Sequence, residues 1–350
     1  MSKILGVDAG TMFFQVAEND GGKINLKEIR NAFVELEASE DIEQVLSQNE
    51  WQYVSDGKHY YVMGSDSMVV ARMFPGKVEL RRPMQGGVLN KGEDKKMLVM
   101  AKMIESSIGK APDEESLVCT CVSSDPVDGA VDNTFHRARI EGMFKRLGWN
   151  VKIIEEGHAV VLSENPVVIE ADGKKVPFSG IGISFGAGKV NCVLAYRGLP
   201  VVGMSAARSG DWIDQKVSEH TDKPISQITN IKETKLDFDN IDYDDDVIFA
   251  LDAYYTNMIE YVFKNFAKKF AEVKSEFEAP LDIVIAGGTS MPKGFAKKVE
   301  TIVRDLDLPF KIKDVVHSKD PRNSVVKGCL TQAIISQKKL KEKVIDEALD

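Results

Sequence analysis

A chain of 350 residues, 43% apolar and 28% charged, has the make-up of a soluble globular protein with room for about two domain-sized cores. Its 45 basic and 54 acidic residues leave a net charge of −9, which argues against a general nucleic-acid or anionic-membrane surface. The four cysteines (Cys119, Cys121, Cys192, Cys329) lie in apolar runs and the five histidines are scattered, so the pattern excludes a zinc-type cage and reads as buried thiols in a reducing cytosol.

The N-terminus passes straight into a strand, and neither a signal peptide nor a membrane span is expected. "ILGVDAGTMFFQVAEN" predicts a strand, a small-residue turn at Asp8-Ala9-Gly10-Thr11 and a second strand. "GISFGAGKVNCVLA", residues 182 to 195, repeats that layout with a turn through Gly186-Ala187-Gly188. In "AYYTNMIEYVFKNFAKKF", residues 253 to 270, the helical spacing of Tyr254, Met258, Tyr261, Val262, Phe266 and Phe270 predicts a core-facing helix. "LDIVIAGGTSMPKGFAKKVETIV" then gives a buried strand from Ile283 to Ala286, the turn Gly287-Gly288-Thr289-Ser290, and a helix whose N-terminus should point at that turn. The C-terminal "KKLKEKVIDEALD" carries Leu340, Val344, Ile345 and Ala348 on one face of a terminal helix.

Glycine weakens a strand, so three strand–glycine-turn units need a reason. One is the tight hairpin itself. The other is a bare backbone that approaches an anion closely, helped in the third unit by a helix start. None of the three has Walker or dinucleotide-fold spacing. Together, "GVDAGT", "GAGKVN" and "IVIAGGTSMPKGF" resemble the two phosphate loops and the adenosine motif of the actin, DnaK-chaperone and sugar-kinase superfamily.

Further segments narrow the resemblance. "YYVMGSDSMVVARMFPGKVELRRPMQGGVLN" looks like the MreB and MamK bacterial actins, "NIKETKLDF" is similar to an actin segment along the bound nucleoside, and "DPRNSVVKGCLTQAI" resembles the last crossing helix. The resemblance implies an α/β, actin-like (ribonuclease-H-like) fold of two domains with a nucleotide cleft between them and a small subdomain inserted in each. The first domain would span residues 1–156 with its insertion near 31–82, and the second 157–315 with its insertion near 212–245, while 316–350 would rejoin the first. Both insertions, rich in charge and turn residues as in "DFDNIDYDDD", read as solvated flaps.

Residue by residue, the resemblance implies that Asp8 holds waters on Mg²⁺, against a structural alternative of an Asx-turn. Gly10 and Thr11 would meet the β- and γ-phosphates from one side, and Gly186, Ala187 and Gly188 from the other. Glu156 would orient the attacking water, or simply stabilise a helix start. Lys232 and Glu233 would flank adenine and ribose, and Gly210, Asp211, Gly287, Gly288, Thr289 and Ser290 complete the nucleotide set. Three departures stand out: Ser184 replaces the aspartate that opens the second loop and is left to bind Mg²⁺ through water, Gln15 replaces a phosphate-contacting lysine, and Gly157-His158 replaces a proline and a small residue. Lys189 is placed to supply the missing positive charge. These departures bear on hydrolysis more than on binding.

The implied function is a cytoplasmic ATPase that binds ATP or ADP with Mg²⁺ and polymerises with itself into filaments, free of nucleic acid and not inserted in a membrane. The competing class is a monomeric ATP-dependent chaperone or reactivating factor. The absence of a long peptide-binding appendage favours the filament.

Overall fold

The computed structural model describes residues 2–89, 94–128, 133–164, 167–169, 173–273 and 279–349. The chain divides into two compact units, one of residues 1–120, 132–153 and 333–350, the other of 121–131 and 154–332. The division falls inside the last helix, between Gln332 and Ala333.

The first unit is built on strands β1 (Ile4–Ala9), β2 (Phe13–Asp20) and β3 (Lys23–Arg30), an antiparallel meander. A small insertion follows, of β4 (Phe33–Glu37), α1 (Glu40–Gln48), β5 (Tyr53–Ser55), β6 (His59–Met63) and α2 (Ser65–Met73). Its three strands form their own sheet in the order β4-β6-β5, over a core of Val34, Leu46, Tyr60, Val62 and Val70. Ser39 caps α1 by accepting from the Ile42 amide at 3.2 Å. The chain then returns as α3 (Asp94–Ile108), β7 (Leu117–Val122), α4 (Asn133–Arg146) and β8 (Asn150–Glu155), giving a sheet ordered β3-β2-β1-β7-β8. β1 and β7 run parallel at its centre, and every residue of β7 is buried, as expected for a strand covered on both faces.

The second unit begins with α5 (Glu156–Glu164) and a short ribbon of β9 (Val167–Ile169) and β10 (Lys175–Pro177). The meander is then repeated by β11 (Gly180–Phe185), β12 (Val190–Tyr196) and β13 (Leu199–Ala206). After α6 (Gly210–Thr221), α7 (Ile225–Thr234) and α8 (Asp246–Ala271) come β14 (Leu281–Ala286), α9 (Phe295–Asp305), β15 (Ile312–His317) and α10 (Ser324–Leu349). The resulting sheet, β13-β12-β11-β14-β15, has the same plan as the first, with β14 and β15 parallel to β11. One topology thus occurs twice in the chain.

Three expectations are corrected here. The insertion near 212–245 is solvated only in part: Ile213, Val217, Ile228, Ile231 and Leu236 are buried in the same core as Ile183, Ile285 and Phe266, while no residue of the acidic run 237–246 is buried. The acidic run that suggested a flap does a local job, since Asp245 caps α8 by accepting from the Val247 and Ile248 amides at 2.8 and 3.2 Å. Along α8 the buried stripe takes in Tyr255 and Phe263, with Met258, Val262, Phe266 and Phe270, while Tyr254 and Tyr261 are only half-buried. Finally, the helix after the third glycine turn starts late: a 3₁₀ turn over Gly288–Ser290 comes first, and α9 begins at Phe295 behind the left-handed Gly294. The four cysteines are buried free thiols. The side chains of Leu340, Val344, Ile345 and Ala348 lie outside the described residues.

Candidate functional site

The candidate residues fall into two half-sites, one in each unit. In the first, the β1–β2 register places Asp8 opposite Gln15, and the β2–β3 register places Gln15 opposite Glu28, so that one polar row crosses three strands. Gln15 is buried and its amide donates to Glu28 Oε2 at 2.8 Å. The Gln15 amide is therefore engaged by a carboxylate. A side chain at Gly10 would put its Cβ 2.8 Å from the Phe13 carbonyl, so the turn itself demands glycine. Thr11 is buried beside it.

Sequence reasoning missed Asn31, which the fold brings to this turn. Its Nδ2 donates to the Gly10 carbonyl at 2.7 Å and its backbone amide to the Met12 carbonyl at 3.0 Å. Asn31 is fully buried, and its Oδ1 has no partner among the described residues. Nothing in the local pattern marks it, since the contact spans 21 residues.

In the second half-site, most of the expected residues meet in one hydrogen-bonded knot. The hairpin β11–β12 closes through Gly186, whose amide donates to the Lys189 carbonyl at 3.0 Å. Its carbonyl accepts from the Gly210 amide at 3.1 Å and from Thr289 Oγ1 at 2.9 Å, and the Ala187 carbonyl accepts from the Asp211 amide at 2.8 Å. The start of α6 and the Gly287–Ser290 turn are thereby tied to the hairpin tip. The amides of Gly186, Gly210 and Asp211 are used inside the protein, so these residues shape the loop rather than donate to an anion. Behind the knot, the Tyr255 hydroxyl donates to the Thr289 carbonyl at 3.0 Å, and Ser290 Oγ donates to the Gly287 carbonyl at 2.7 Å while pairing with His317 Nε2 at 3.0 Å. Burial pushes the His317 imidazole below its usual range, and Glu164 opposes that shift.

The glycines of the third turn differ in kind. Gly287 has φ +99° and any Cβ there would strike the Phe185 backbone, so packing explains it. Gly288 is exposed and a Cβ there would meet nothing within 4 Å. The fold gives no packing reason for glycine at 288.

Lys232 is buried rather than lying along an open surface: its Nζ stands 2.7 Å from Asp214 Oδ1 and donates to the Gly210 carbonyl at 3.0 Å. Glu233, next along α7, is exposed. Lys189 is buried where the hairpin leaves its tip; burial lowers the pKa of its amine, and the carboxylates of Glu156 and Asp128 pull it back up. Glu156, the first residue of α5, accepts from Ser123 Oγ at 3.3 Å. The following Gly157 has a packing cause, because a Cβ there would lie 2.8 Å from the Gly182 carbonyl and from the Val193 amide; His158 is buried, with Nε2 2.9 Å from the Gly198 carbonyl. The strand glycine Gly182 is the other half of that close approach.

Ser184 is buried in β11, opposite Asn191 and beside Ala286. Among the described residues no group of three or more His, Cys, Asp or Glu side chains is gathered as a metal cage. A magnesium ion, which keeps most of its waters and takes its remaining contacts from phosphates and one or two carboxylates, needs only such a residue as Asp8.

A family model described as Volactin matches residues 1–333. No curated protein matches the sequence. Among solved structures, the chain is similar to a MamK double helical filament at 17% identity and a TM-score of 0.69, over 95% of this chain and 99% of that one. It is also similar to MreB5 of Spiroplasma citri bound to AMPPNP (14% identity, TM-score 0.67, 99% of each chain) and bound to ADP (14% identity, TM-score 0.65, 97% of this chain and 99% of that one). The α/β fold, with its two sheets of one topology, is the actin-like fold of the MreB and MamK kind.

Proposed function

We propose, from the premise that this chain belongs to the Volactin family, that it is an actin-like cytoskeletal protein of the cytoplasm, one that binds ATP or ADP with Mg²⁺ and assembles with copies of itself into filaments. The observation that carries the reading is the knot of the second half-site, in which the hairpin tip, the start of α6 and the Gly287–Ser290 turn are bonded together and present the exposed, unconstrained Gly288. The similar MreB5 structures are described as bound to AMPPNP and ADP, and the similar MamK structure as a double helical filament. No helix among the described residues is long and apolar enough to cross a membrane.

In this reading Asp8 of the first half-site would hold waters on the metal, and Ser184 of the second would offer its hydroxyl through water. The metal would supply charge neutralisation of the phosphates. Gly10 sets the first turn, and Asn31 holds its carbonyls in place. Glu156, held by Ser123, orients a water for attack, and its charge helps keep the buried Lys189 amine protonated. Hydrolysis is slow, because the carboxylate usual at 184 is missing, and it drives disassembly.

Pelleting and electron microscopy of the purified chain with ATP and Mg²⁺ test the reading. Filaments that depend on nucleotide are expected. A monodisperse monomer across a wide range of salt and nucleotide would favour a chaperone-like role and overturn the filament.

A further inference from the structure

The buried charges of α6 and α7 are not explained by stability alone. Asp214, one turn into α6, and Lys232, near the end of α7, stand 2.7 Å apart with side chains 3% and 9% exposed. An ion pair so buried gains little over apolar residues of the same shape, so its presence asks for a geometric reason. Its surroundings supply one. Lys232 Nζ donates to the Gly210 carbonyl at 3.0 Å, the Gly210 amide donates to the Gly186 carbonyl at 3.1 Å, and the Asp211 amide donates to the Ala187 carbonyl at 2.8 Å. Asp214 is itself fixed by Thr229, whose Oγ1 donates to Oδ2 at 2.8 Å, while its Oδ1 stands 2.7 Å from Lys232 Nζ. A chain of contacts therefore runs from α7 through one ammonium group to the tip of the second hairpin.

We propose that Asp214 and Lys232 form a buried lock that positions the second phosphate hairpin through the Gly210 carbonyl, so that Lys232 acts on a bound nucleotide only through the loop it holds. The proposal rests on the nucleotide-binding reading above and changes the role of one residue within it: Lys232 is a positioning residue and takes no place along the nucleoside. Asp214, which no sequence motif marks, becomes its equal partner.

The two roles give opposite results in a mutant cycle. Binding of ATP with Mg²⁺ to the chain is measured by isothermal titration calorimetry, with the melting temperature of each nucleotide-free variant recorded beside it. For a lock, Asp214→Asn and Lys232→Met each weaken ATP by a similar factor, roughly 2- to 30-fold for a residue acting at one remove, and the double variant binds no more weakly than the worse single one. For a ligand contact, Asp214→Asn leaves the lysine charge available and keeps wild-type affinity, while Lys232→Met alone loses it. That result, or wild-type affinity in all three variants, overturns the lock. Should a charge left unpaired prevent folding, Asp214→Glu gives the same discrimination, because a longer carboxylate displaces the lysine and weakens ATP only if the lock positions the loop. A wild-type chain that binds no ATP overturns the nucleotide reading itself and the lock with it.

Discussion

Two glycines of the second half-site separate what the fold needs from what a ligand needs. At Gly186 a new Cβ would lie 2.8 Å from the Lys189 carbonyl, and the tip must shift to admit it. Three hydrogen bonds meet at that residue: its own amide to Lys189, and its carbonyl to the Gly210 amide and Thr289 Oγ1. At about 0.5–1.5 kcal/mol net for each, losing two or three costs about 1–4.5 kcal/mol of stability. Gly186→Val therefore confounds binding with folding. At Gly288 a Cβ meets nothing within 4 Å and φ is not in the left-handed region, so Gly288→Ala should be neutral or stabilising by about 0.4–1 kcal/mol through the unfolded chain. If nucleotide lies against this backbone, the added methyl overpacks the contact by about 1–3 kcal/mol, a loss of roughly 5- to 150-fold in affinity. Thermal melts of the nucleotide-free chain and calorimetric titration with ATP and Mg²⁺ read the two quantities separately. Unchanged affinity in Gly288→Ala and in the bulkier Gly288→Val would refute the argument that a ligand is the reason for this glycine.

Glu156→Gln should keep ATP binding and lower hydrolysis by roughly 10²–10⁴-fold in a phosphate-release assay, the scale of a positioned acid or base; Ser123→Ala, which removes the 3.3 Å bond to Glu156, should lower it by less. Gly157→Ala brings a Cβ to 2.8 Å from two backbone atoms of β11 and β12 and should shift the urea midpoint downward, by a stability loss of about 1–3 kcal/mol. Asp56 accepts from the Tyr61 hydroxyl at 2.7 Å and from the Lys58 and His59 amides at 2.9 and 2.8 Å, which hold its carboxyl well below the usual carboxylate range. Its contribution is therefore present above the unfolded value near pH 4 and is lost as pH falls toward the folded one, so Asp56→Asn should flatten the acid limb of a stability–pH curve.

Local pattern made much of the fold legible. Alternation of Leu5, Val7 and Ala9, the apolar run of β7 and the paired glycine turns all report strands whose partners lie close in sequence or whose burial is complete. What local pattern misjudged was burial decided at long range. The 212–245 insertion looked solvated because its charges outnumber its apolar residues, yet Ile213, Val217, Ile228 and Ile231 recur at helical spacing and complete the core over β11 and β14. On α8 the aromatic density left the stripe ambiguous by one position, and Trp212 and Arg208, distant in sequence, decided it by packing on Tyr254 and Tyr261. In the candidate site, glycines were visible as types but not as causes. Only the neighbours of Gly182, Gly157 and Gly287 show that packing requires them, and only the empty space around Gly288 shows that it does not. Asn31 and Asp214 carried no signal at all, since each acts through a carbonyl or an ammonium group that the fold delivers.

The serine at 184 takes a different meaning once its row is seen. Ser184 lies opposite Asn191, and Asn191 opposite Ser205, so three neutral polar side chains cross the sheet where a charged residue was expected to open the loop. Each is buried, and two are tied to one neighbouring segment: Ser205 Oγ donates to the Ser124 carbonyl at 2.8 Å, and the Ser124 amide donates to Asn191 Oδ1 at 3.2 Å. The other end of that amide, Nδ2, is buried with no partner among the described residues. A donor left so costs about 1–3 kcal/mol, and such groups survive where a further acceptor, such as a water or a ligand, completes them. The nearest charges in this unit are arranged separately, with Lys189 set against Glu156 and Asp128. Where a carboxylate was expected, the second half-site thus presents a neutral row with an unfilled donor, and of its two buried ammonium groups Lys189 has Glu156 and Asp128 as its charged neighbours while Lys232 pairs with Asp214. The neutral row weakens the pull on a metal ion from this side and leaves the backbone knot around the hairpin untouched, which is the physical ground for expecting nucleotide binding to outlast fast hydrolysis.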